Sequence, residues 1–294
     1  MACHSIAKPG MAPGVPLPFS FVVLWSSGYI GGAVGLNYAE PFTMTFLRFA
    51  LAGVLLLLIA VATRAPWPAS RREAGHIAVV GLLIQAVQFG GLYSGMNAGV
   101  SAGVSALIVG LMPILTALGA GWFLGERVSR RQWFGLCLGL AGVVAVVGDR
   151  LTAGGDAGGF LLVGLALFGI TAGTLYQKKF CAGMDLRTGG FIQMAVGALA
   201  LLVLAGMAET MEIRWTAGFV GSLAWLAVMN SIGAVSLLFV MIRRGEATRV
   251  ASLFYLIPPM TALMASVVLA EMPGLATVAG FALAALGVRL GTRS

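Results

Sequence analysis

The sequence predicts an all-α membrane protein of ten transmembrane helices, built as two five-helix repeats of inverted topology. Three observations predict this fold. The 294 residues are 59% hydrophobic and only 10% charged, whereas a soluble globular domain carries about 25% charged residues. One block of sequence occurs twice, and basic residues are concentrated in alternate loops between the apolar segments.

Ten apolar segments are long enough to cross a bilayer, which takes about 20 residues per helix. They are residues 18–36, 43–63, 75–95, 101–123, 131–148, 159–177, 188–206, 217–240, 248–269 and 273–290. The connections between them are short, so we expect no separate soluble domain. The predicted organisation is a flexible cytoplasmic tail (1–17), a first repeat (18–148), an outer linker (149–158) and a second repeat (159–294).

The repeat lies at a constant offset of 145 residues. Five positions of the first copy recur in the second: Pro113 as Pro258, Thr116 as Thr261, Glu126 as Glu271, Gly135 as Gly280 and Gly142 as Gly287. Because each copy holds an odd number of spans, the second enters the membrane in the opposite orientation, an arrangement typical of transporters.

Prolines stand at matching places in the fourth and ninth predicted helices, as Pro113 in the first and as Pro258 and Pro259 in the second. Proline lacks the backbone N–H group and kinks or breaks a helix. Paired interruptions of this kind point to a substrate site between the halves, and kinks made only for packing are the alternative. Both interpretations predict that these helices are central.

The basic residues that give the net charge of +8 lie mainly in the loops and do not indicate a nucleic-acid-binding patch. Fifteen basic residues fall on one side of the predicted topology and two, Arg150 and Arg214, on the other, while Arg48 lies inside a span. Positively charged loops stay in the cytoplasm. We therefore expect cytoplasmic N- and C-termini, a lipid bilayer as partner, and no nucleic acid.

No motif in the sequence supports an enzyme, a cofactor or a metal site. Residues 99–103 fit G-x-S-x-G, the nucleophile pattern of serine hydrolases, so an intramembrane hydrolase acting through Ser101 is the alternative function. That chemistry needs a histidine base, and the two histidines, His4 and His76, lie in the tail and at a basic loop.

Neutral polar and aromatic side chains recur within the spans, often four residues apart and hence on one helix face. The candidate substrate-binding residues are Trp25, Tyr29, Gln85, Phe89, Tyr93, Ser101, Ser105, Thr171, Asn230, Ser231, Ser252 and Tyr255. As a set they predict a neutral, amphipathic cavity. Hydrogen bonds between helices and interfacial aromatic belts are the alternative.

Arg48 is the one clear ionisable residue inside a predicted span, and such residues are candidates for function. Its side chain either extends to the membrane interface or holds carbonyls or a carboxylate between helices, and a structural role is favoured. Glu126 and Glu271 end the fourth and ninth helices, where we expect helix termination and gating contacts. The spans contain no carboxylate for a proton or sodium relay, which favours facilitated diffusion, with ion coupling by another route as the alternative.

Several short motifs resemble the EamA family of the drug/metabolite transporter superfamily over essentially the whole chain. They are Leu24-Trp25 with Gly28, Leu47-Arg48-Phe49, and the block of residues 106–126 that returns at 251–271. Residues 107–117 resemble the YddG-like branch of aromatic amino-acid exporters. The second copy departs from the family pattern at Ala270, where glycine is usual, and at Gln193, which stands in place of the arginine.

The resemblance implies a carrier in the bacterial inner membrane that exports small metabolites by alternating access around a central cavity. Neutral or zwitterionic solutes suit the predicted cavity, so the expected substrates are aromatic or other neutral amino acids and related metabolites. Other metabolites or drugs, and a scaffold that transports nothing, remain the alternatives. Both halves lie in one chain, so we expect a monomer to suffice.

Overall fold

The computed structural model describes residues 17–124, 129–152, 156–243 and 253–291, and these are helical apart from short loops. An isolated bridge between Ala39 and Ile213 is the only β-pairing among them. Seven helices in the described ranges are long and apolar enough to cross a membrane, and three shorter apolar helices fall at the remaining predicted spans. The all-α membrane class is thus confirmed, whereas the count of ten spans stays a prediction.

The helices of the first half are α1 (Leu17–Leu36), α2 (Pro41–Ala62), α3 (Arg71–Gly81), α4 (Phe89–Asn97), α5 (Ala102–Val109), α6 (Met112–Leu124) and α7 (Arg130–Thr152). A π-helical stretch, Leu82–Gln88, joins α3 to α4 as one continuous helix. Residues 1–16, most of the predicted tail, lie outside the described residues, as does Glu126.

The helices of the second half are α8 (Ala157–Phe180), α9 (Leu186–Ala208), α10 (Ala217–Ala224), α11 (Val235–Arg243), α12 (Ile257–Val268) and α13 (Leu275–Gly291). A second π-helical stretch, Trp225–Ala234, joins α10 to α11, and a turn of 3₁₀ helix, Phe254–Leu256, leads into α12. Helices α7 and α8 both extend into the predicted linker 149–158. Ser252 lies outside the described residues.

Local side-chain caps fix where several helices begin. Ser70 accepts a hydrogen bond from the Glu73 backbone N–H (3.1 Å) at the start of α3, and the Glu73 carboxylate accepts one from the backbone N–H of Ala69, the residue before the cap. Asp156 and Asp185 cap α8 and α9 through their carboxylates. Each cap satisfies a donor that the first helical turn leaves unpaired.

One helix start is capped from the other half of the chain. The residue before α2, Glu40, makes no cap of its own. Instead the Glu209 carboxylate, at the end of α9, accepts hydrogen bonds from the backbone N–H groups of Phe42 (2.7 Å) and Thr43 (2.8 Å) and from the Thr43 hydroxyl (2.8 Å). Glu40 in turn accepts from the backbone and hydroxyl of Thr210. These bonds tie the α1–α2 and α9–α10 loops together.

The opposite ends of α2 and α9 are joined as well. The Thr188 hydroxyl at the start of α9 donates to the Pro66 carbonyl beyond the end of α2 (2.7 Å), and Arg187 donates to the Thr63 hydroxyl (2.9 Å). Trp67 packs edge-on against Phe191. Helices α2 and α9 are therefore joined at both ends.

Glycines let the backbones of α7 and α13 touch. A Cβ atom added at Gly142 would lie 2.8 Å from the Gly280 carbonyl oxygen, and one added at Gly287 would lie 2.5 Å from that of Gly135. The two contacts run in opposite directions along the chain, so the helices cross antiparallel. Small residues at such crossings allow close packing where lipid supplies no hydrophobic drive for helix association.

Candidate functional site

The two π-helical stretches, Leu82–Gln88 and Trp225–Ala234, occupy matching places in the two halves at the 145-residue offset. They contain the polar residues Gln85 and Asn230, which correspond to each other at that offset. A π-helical segment widens the turn, leaves a carbonyl without its usual partner, and occurs often at functional sites. Within the second stretch the Ser231 hydroxyl donates to the Leu226 carbonyl, five residues earlier (3.0 Å).

The side chain of Arg48 binds three neutral partners in the middle of the bundle. Its Nε donates to the Ser231 hydroxyl (3.0 Å), one terminal nitrogen donates to the Tyr93 hydroxyl (2.6 Å), and the other donates to the amide oxygen of Asn230. We call these four residues the Arg48 cluster. It joins α2 to α4 and to the second π-helical stretch.

Aromatic rings cover the faces of the guanidinium. The Phe89 ring centre lies 4.5 Å from the Arg48 guanidinium carbon, and that of Phe49 lies 5.2 Å away. Cation–π attraction of this kind is strongest where the cation is desolvated. Arg48 is only 1% exposed, so the suggestion that its side chain extends to the membrane interface is wrong. The guanidinium holds side chains of α4 and of the second π-helical stretch, whereas carbonyls or a carboxylate were the partners expected for an interhelical role.

Helix α1 contributes backbone carbonyl groups to the Arg48 cluster. The Tyr93 hydroxyl donates to the Gly28 carbonyl (3.2 Å), and the Asn230 amide donates to that of Leu24 (3.0 Å). A Cβ atom at Gly28 would lie 2.5 Å from the Asn230 amide nitrogen, and one at Gly32 would overlap the Tyr93 ring. Glycine is required at both positions because these side chains lie directly against the helix.

Within the described residues, the contacts of Arg48 include no carboxylate. A buried charge without a counter-charge is costly even when it is hydrogen-bonded. Polar neighbours and aromatic rings offset part of that cost. The Arg48 cluster therefore carries a net positive charge in the hydrophobic interior.

Other predicted site residues lie around this cluster. The Trp25 carbonyl accepts from the Asn230 amide (3.4 Å), and the Trp25 ring packs at a tilt against Phe21 and edge-on against Phe254, each at 5.4 Å between ring centres. Tyr29 is buried in the same apolar cluster as Tyr93. Gln85 packs on α9, where a Cβ atom at Gly197 would overlap it. The backbone of Tyr255 belongs to the 3₁₀ turn, and its side chain lies outside what the structure describes.

Two predicted hydroxyls, those of Ser105 and Thr171, are buried and make no hydrogen bond to the described residues. The same holds for the hydroxyls of Thr116 and Thr261, which correspond in the repeat and stand three residues after Pro113 and Pro258. Buried hydroxyls usually find partners. Their lack of partners marks helices α5, α6, α8 and α12 as places where the packing leaves polar groups unsatisfied.

Helices are interrupted next to the prolines of both halves. Helix α5 ends at Val109 and α6 begins at Met112, one residue before Pro113, while Pro258 and Pro259 follow the 3₁₀ turn at the start of α12. The two breaks touch, since a Cβ atom at Gly110 would lie 3.1 Å from the Pro258 ring. The Ser26 hydroxyl of α1 donates to the Ile257 carbonyl beside the second break (3.3 Å).

A cavity of about 350 Å³ opens near the α4–α5 and α12–α13 loops. Its lining includes Ser101, Glu271, Thr277 and Phe281. Ser101 caps α5 by accepting from the Val104 N–H (3.4 Å), which is a structural role. Glu271 follows Ala270, which adopts a left-handed backbone conformation (φ 55°).

Sequence reasoning missed several polar contacts. Gln88 lies in the first π-helical stretch, is 4% exposed, and has an amide oxygen that accepts no hydrogen bond from the described residues. Ser222 donates to the Gly31 carbonyl (2.5 Å), and the Trp225 indole donates to the Ser27 hydroxyl (2.8 Å). Gln88, three residues after Gln85, could have been noticed in the sequence. The partners of Ser222 and Ser27 depend on tertiary packing alone.

Comparison with known proteins gives a consistent result. A family model described as the EamA-like transporter family matches residues 12–148 and again 157–292. The uncharacterized transporter YvbV of Bacillus subtilis is 28% identical over 274 residues, covering 89% of this chain and 86% of its own. The uncharacterized inner membrane transporter YedA of Escherichia coli is 26% identical, covering 84% and 79%.

A probable amino-acid metabolite efflux pump of Escherichia coli is 26% identical over 260 residues and covers 85% of each chain. A crystal structure of a protein superposes with a TM-score of 0.65 over 93% of this chain and 94% of its own. At 20% identity, that likeness concerns the fold alone. The doubled family match and these relatives make the protein a membrane transporter and not an enzyme, and the chain belongs to the EamA-like transporter family.

Proposed function

We propose that the protein exports amino acids, chiefly aromatic or other neutral ones, and related small metabolites across the bacterial inner membrane by alternating access. The observation that carries this proposal is the Arg48 cluster, where Arg48 and Tyr93 of the first half meet Asn230 and Ser231 of the second. In transporters built from repeats, the substrate site lies between the repeats near the middle of the membrane.

Ten spans in two inverted five-helix repeats, residues 18–148 and 159–294, form the framework of this proposal. The doubled family match supports it. So does the α7–α13 crossing, because Gly135 and Gly142 correspond to Gly280 and Gly287 and each contacts the opposite member of the other pair. Such reciprocal contact is what a two-fold axis produces, and between antiparallel helices that axis lies in the membrane plane.

The proposed orientation puts both termini in the cytoplasm, and the loop charges support it. Arg71, Arg72, Lys178 and Lys179 border loops at one end of the helices, whereas the loops at the other end carry Arg214. The inner-membrane description of the relative YedA agrees with this location. In this orientation the cavity beside Ser101 and Glu271 faces the outer side, as an exit route for solute. One chain supplies both halves, so a monomer suffices.

The proposed substrates follow from the chemistry of the interior. Neutral polar and aromatic side chains, among them Tyr29, Gln85 and Phe89, suit solutes that combine an apolar part with hydrogen-bonding groups. The relative described as a probable amino-acid metabolite efflux pump supports the choice of amino acids. Pro113, Pro258 and Pro259 stand at the touching helix breaks, where we place the bending that switches access.

The test is counterflow in proteoliposomes. Vesicles loaded with unlabelled phenylalanine should accumulate labelled phenylalanine faster than protein-free vesicles, and a panel of neutral amino acids should compete. The double variant Gln85→Ala with Asn230→Ala should slow this flux while the protein stays folded. No facilitated flux for any amino acid in the panel would rule out the proposed substrates.

A further inference from the structure

We propose that Arg48 is the receptor for a carboxylate group of the transported solute, an inference that rests on the proposed function. The Arg48 side chain places a positive charge in the interior of the bundle. The Arg48 cluster holds a guanidinium whose partners in the described residues are a phenol, an amide and a hydroxyl. Arginine keeps its proton in proteins, so this site stays cationic in the interior until an anion enters.

Arg48 has more N–H donors than it has acceptors in the described part of the chain. Arginine has five N–H groups arranged in a planar fork. The three hydrogen bonds of Arg48 engage one N–H on each nitrogen, which leaves two N–H groups without an acceptor in the described part of the chain. Guanidinium forks match carboxylates through paired hydrogen bonds. A carboxylate can therefore add to the free donors or displace the weaker neutral acceptors.

The side chains around Arg48 are mainly aromatic and apolar. Phe89 and Phe49 lie over the guanidinium at 4.5 and 5.2 Å, and Tyr93 and Trp25 extend the apolar and aromatic lining of the bundle. An aromatic or aliphatic body beside a carboxylate fits these neighbours. A neutral amide of the same shape fits the rings equally well but gives the arginine no charge. The Arg48 cluster should thus distinguish a carboxylate from its amide.

The position is also asymmetric, which a purely structural tie between repeats would not require. The counterpart of Arg48 in the repeat is Gln193 on α9, whose amide contacts the sulfur of Met184 (3.5 Å). At this pair of positions the first half has a cation and the second half has a neutral amide, and the cation lies against the second π-helical stretch. A single guanidinium, that of Arg48, facing the second π-helical stretch is suited to binding one anionic group.

The variant that separates a receptor from a structural tie is Asn230→Asp. It leaves Arg48 in place and supplies a carboxylate next to the same terminal nitrogen. A receptor filled in this way no longer responds to an external carboxylate. A structural tie gains a charged partner and changes no ligand response. Asn37→Asp, at an exposed loop position, adds the same charge away from the site and is the matched control.

The measurement is the unfolding midpoint of the detergent-purified protein with phenylacetate or with its neutral analogue phenylacetamide. Phenylacetate should raise the midpoint of the wild type and of Asn37→Asp more than phenylacetamide does. Asn230→Asp should weaken the apparent phenylacetate affinity by at least about tenfold, because an internal carboxylate competes for the desolvated charge. Arg48→Lys should keep a preference for phenylacetate and Arg48→Gln should lose it.

Equal responses of the wild type to the two probes would overturn the inference, as would an Asn230→Asp protein that still prefers phenylacetate. If Arg48→Gln does not fold, the Asn230→Asp comparison carries the test alone. Counterflow separates this inference from the proposed function. Amino-acid flux without carboxylate preference would overturn only the receptor, whereas carboxylate binding without amino-acid flux would overturn only the export function.

Discussion

The guanidinium of Arg48 and the side-chain amide of Asn230 are joined by a direct hydrogen bond although 182 residues separate them. The same amide donates to the α1 backbone at Leu24. Asn230 therefore links α1, α2 and the second π-helical stretch through one side chain. Movement of either half relative to the other must stretch or exchange these bonds, which places the cluster where a transport cycle can act on it.

The α1 glycines provide a direct test of the Arg48 cluster. Gly32→Ala should destabilise the protein by about 1–3 kcal/mol, because the new methyl group overlaps the Tyr93 ring in a closely packed region. Thermal unfolding of the purified protein measures the change. Gly164→Ala is the control, since no atom lies within 4 Å of its added Cβ, and it should leave the stability unchanged or raise it.

The α7–α13 crossing predicts a second sensitive glycine. In Gly287→Ala the new methyl group would lie 2.5 Å from the Gly135 carbonyl and 2.6 Å from the Gly139 nitrogen. Backbone atoms cannot rotate away as a side chain can, so the helices must separate, and we expect a loss of about 1–3 kcal/mol. Gly206→Ala, which has open space around it, is the comparison. Equal unfolding midpoints for the two variants would contradict the close crossing.

The cap on α2 that Glu209 supplies should matter although it comes from the other half. Glu209→Gln keeps the shape but removes the charge that accepts three hydrogen bonds, so we expect a loss of about 1–2 kcal/mol. Glu212→Gln, three residues away and exposed, should change stability by less than about 0.5 kcal/mol. Denaturation of the two variants under the same conditions, with the unfolding free energy of each compared with that of the wild type, tests this prediction.

Acid should weaken the cap at the start of α9. Hydrogen bonds from Arg187 lower the pKa of the Asp185 carboxyl to about 2, below the value of about 3.9 expected in the unfolded chain. A lowered folded-state pKa gives stability that is present above the unfolded value and disappears as the pH falls toward 2. Unfolding midpoints between about pH 4 and pH 2 should fall more steeply in the wild type than in Asp185→Asn. Parallel slopes would refute the assignment.

Composition and repeat spacing were enough to predict the helical membrane class and the positions of the proline breaks. These features depend on hydrophobicity and on local backbone chemistry, which sequence carries directly. Arg48 was also identifiable as the ionisable residue of the spans. Its partners were not, because Tyr93 and Asn230 lie 45 and 182 residues away and only packing brings them together.

The π-helical stretches and the cap on α2 could not be predicted for physical reasons. Widening one turn shifts the helical period by a single residue, which leaves no clear pattern in an apolar segment. Capping is read from the residues next to a helix, and that reasoning points to Glu40, whereas the structure uses Glu209. Calcium-binding loops and catalytic sites are marked by local sequence motifs, whereas contacts between repeats are not.

The most direct test of alternating access uses a cysteine at Ser105, a side chain that is fully buried in this structure. Cys3, Cys137 and Cys181 would first be replaced by serine, and Ser105→Cys would then be exposed to a membrane-impermeant thiol reagent from each side in turn. Alternating access predicts modification from both sides, with substrate changing the two rates in opposite directions. Modification from one side only, under every condition, would contradict it.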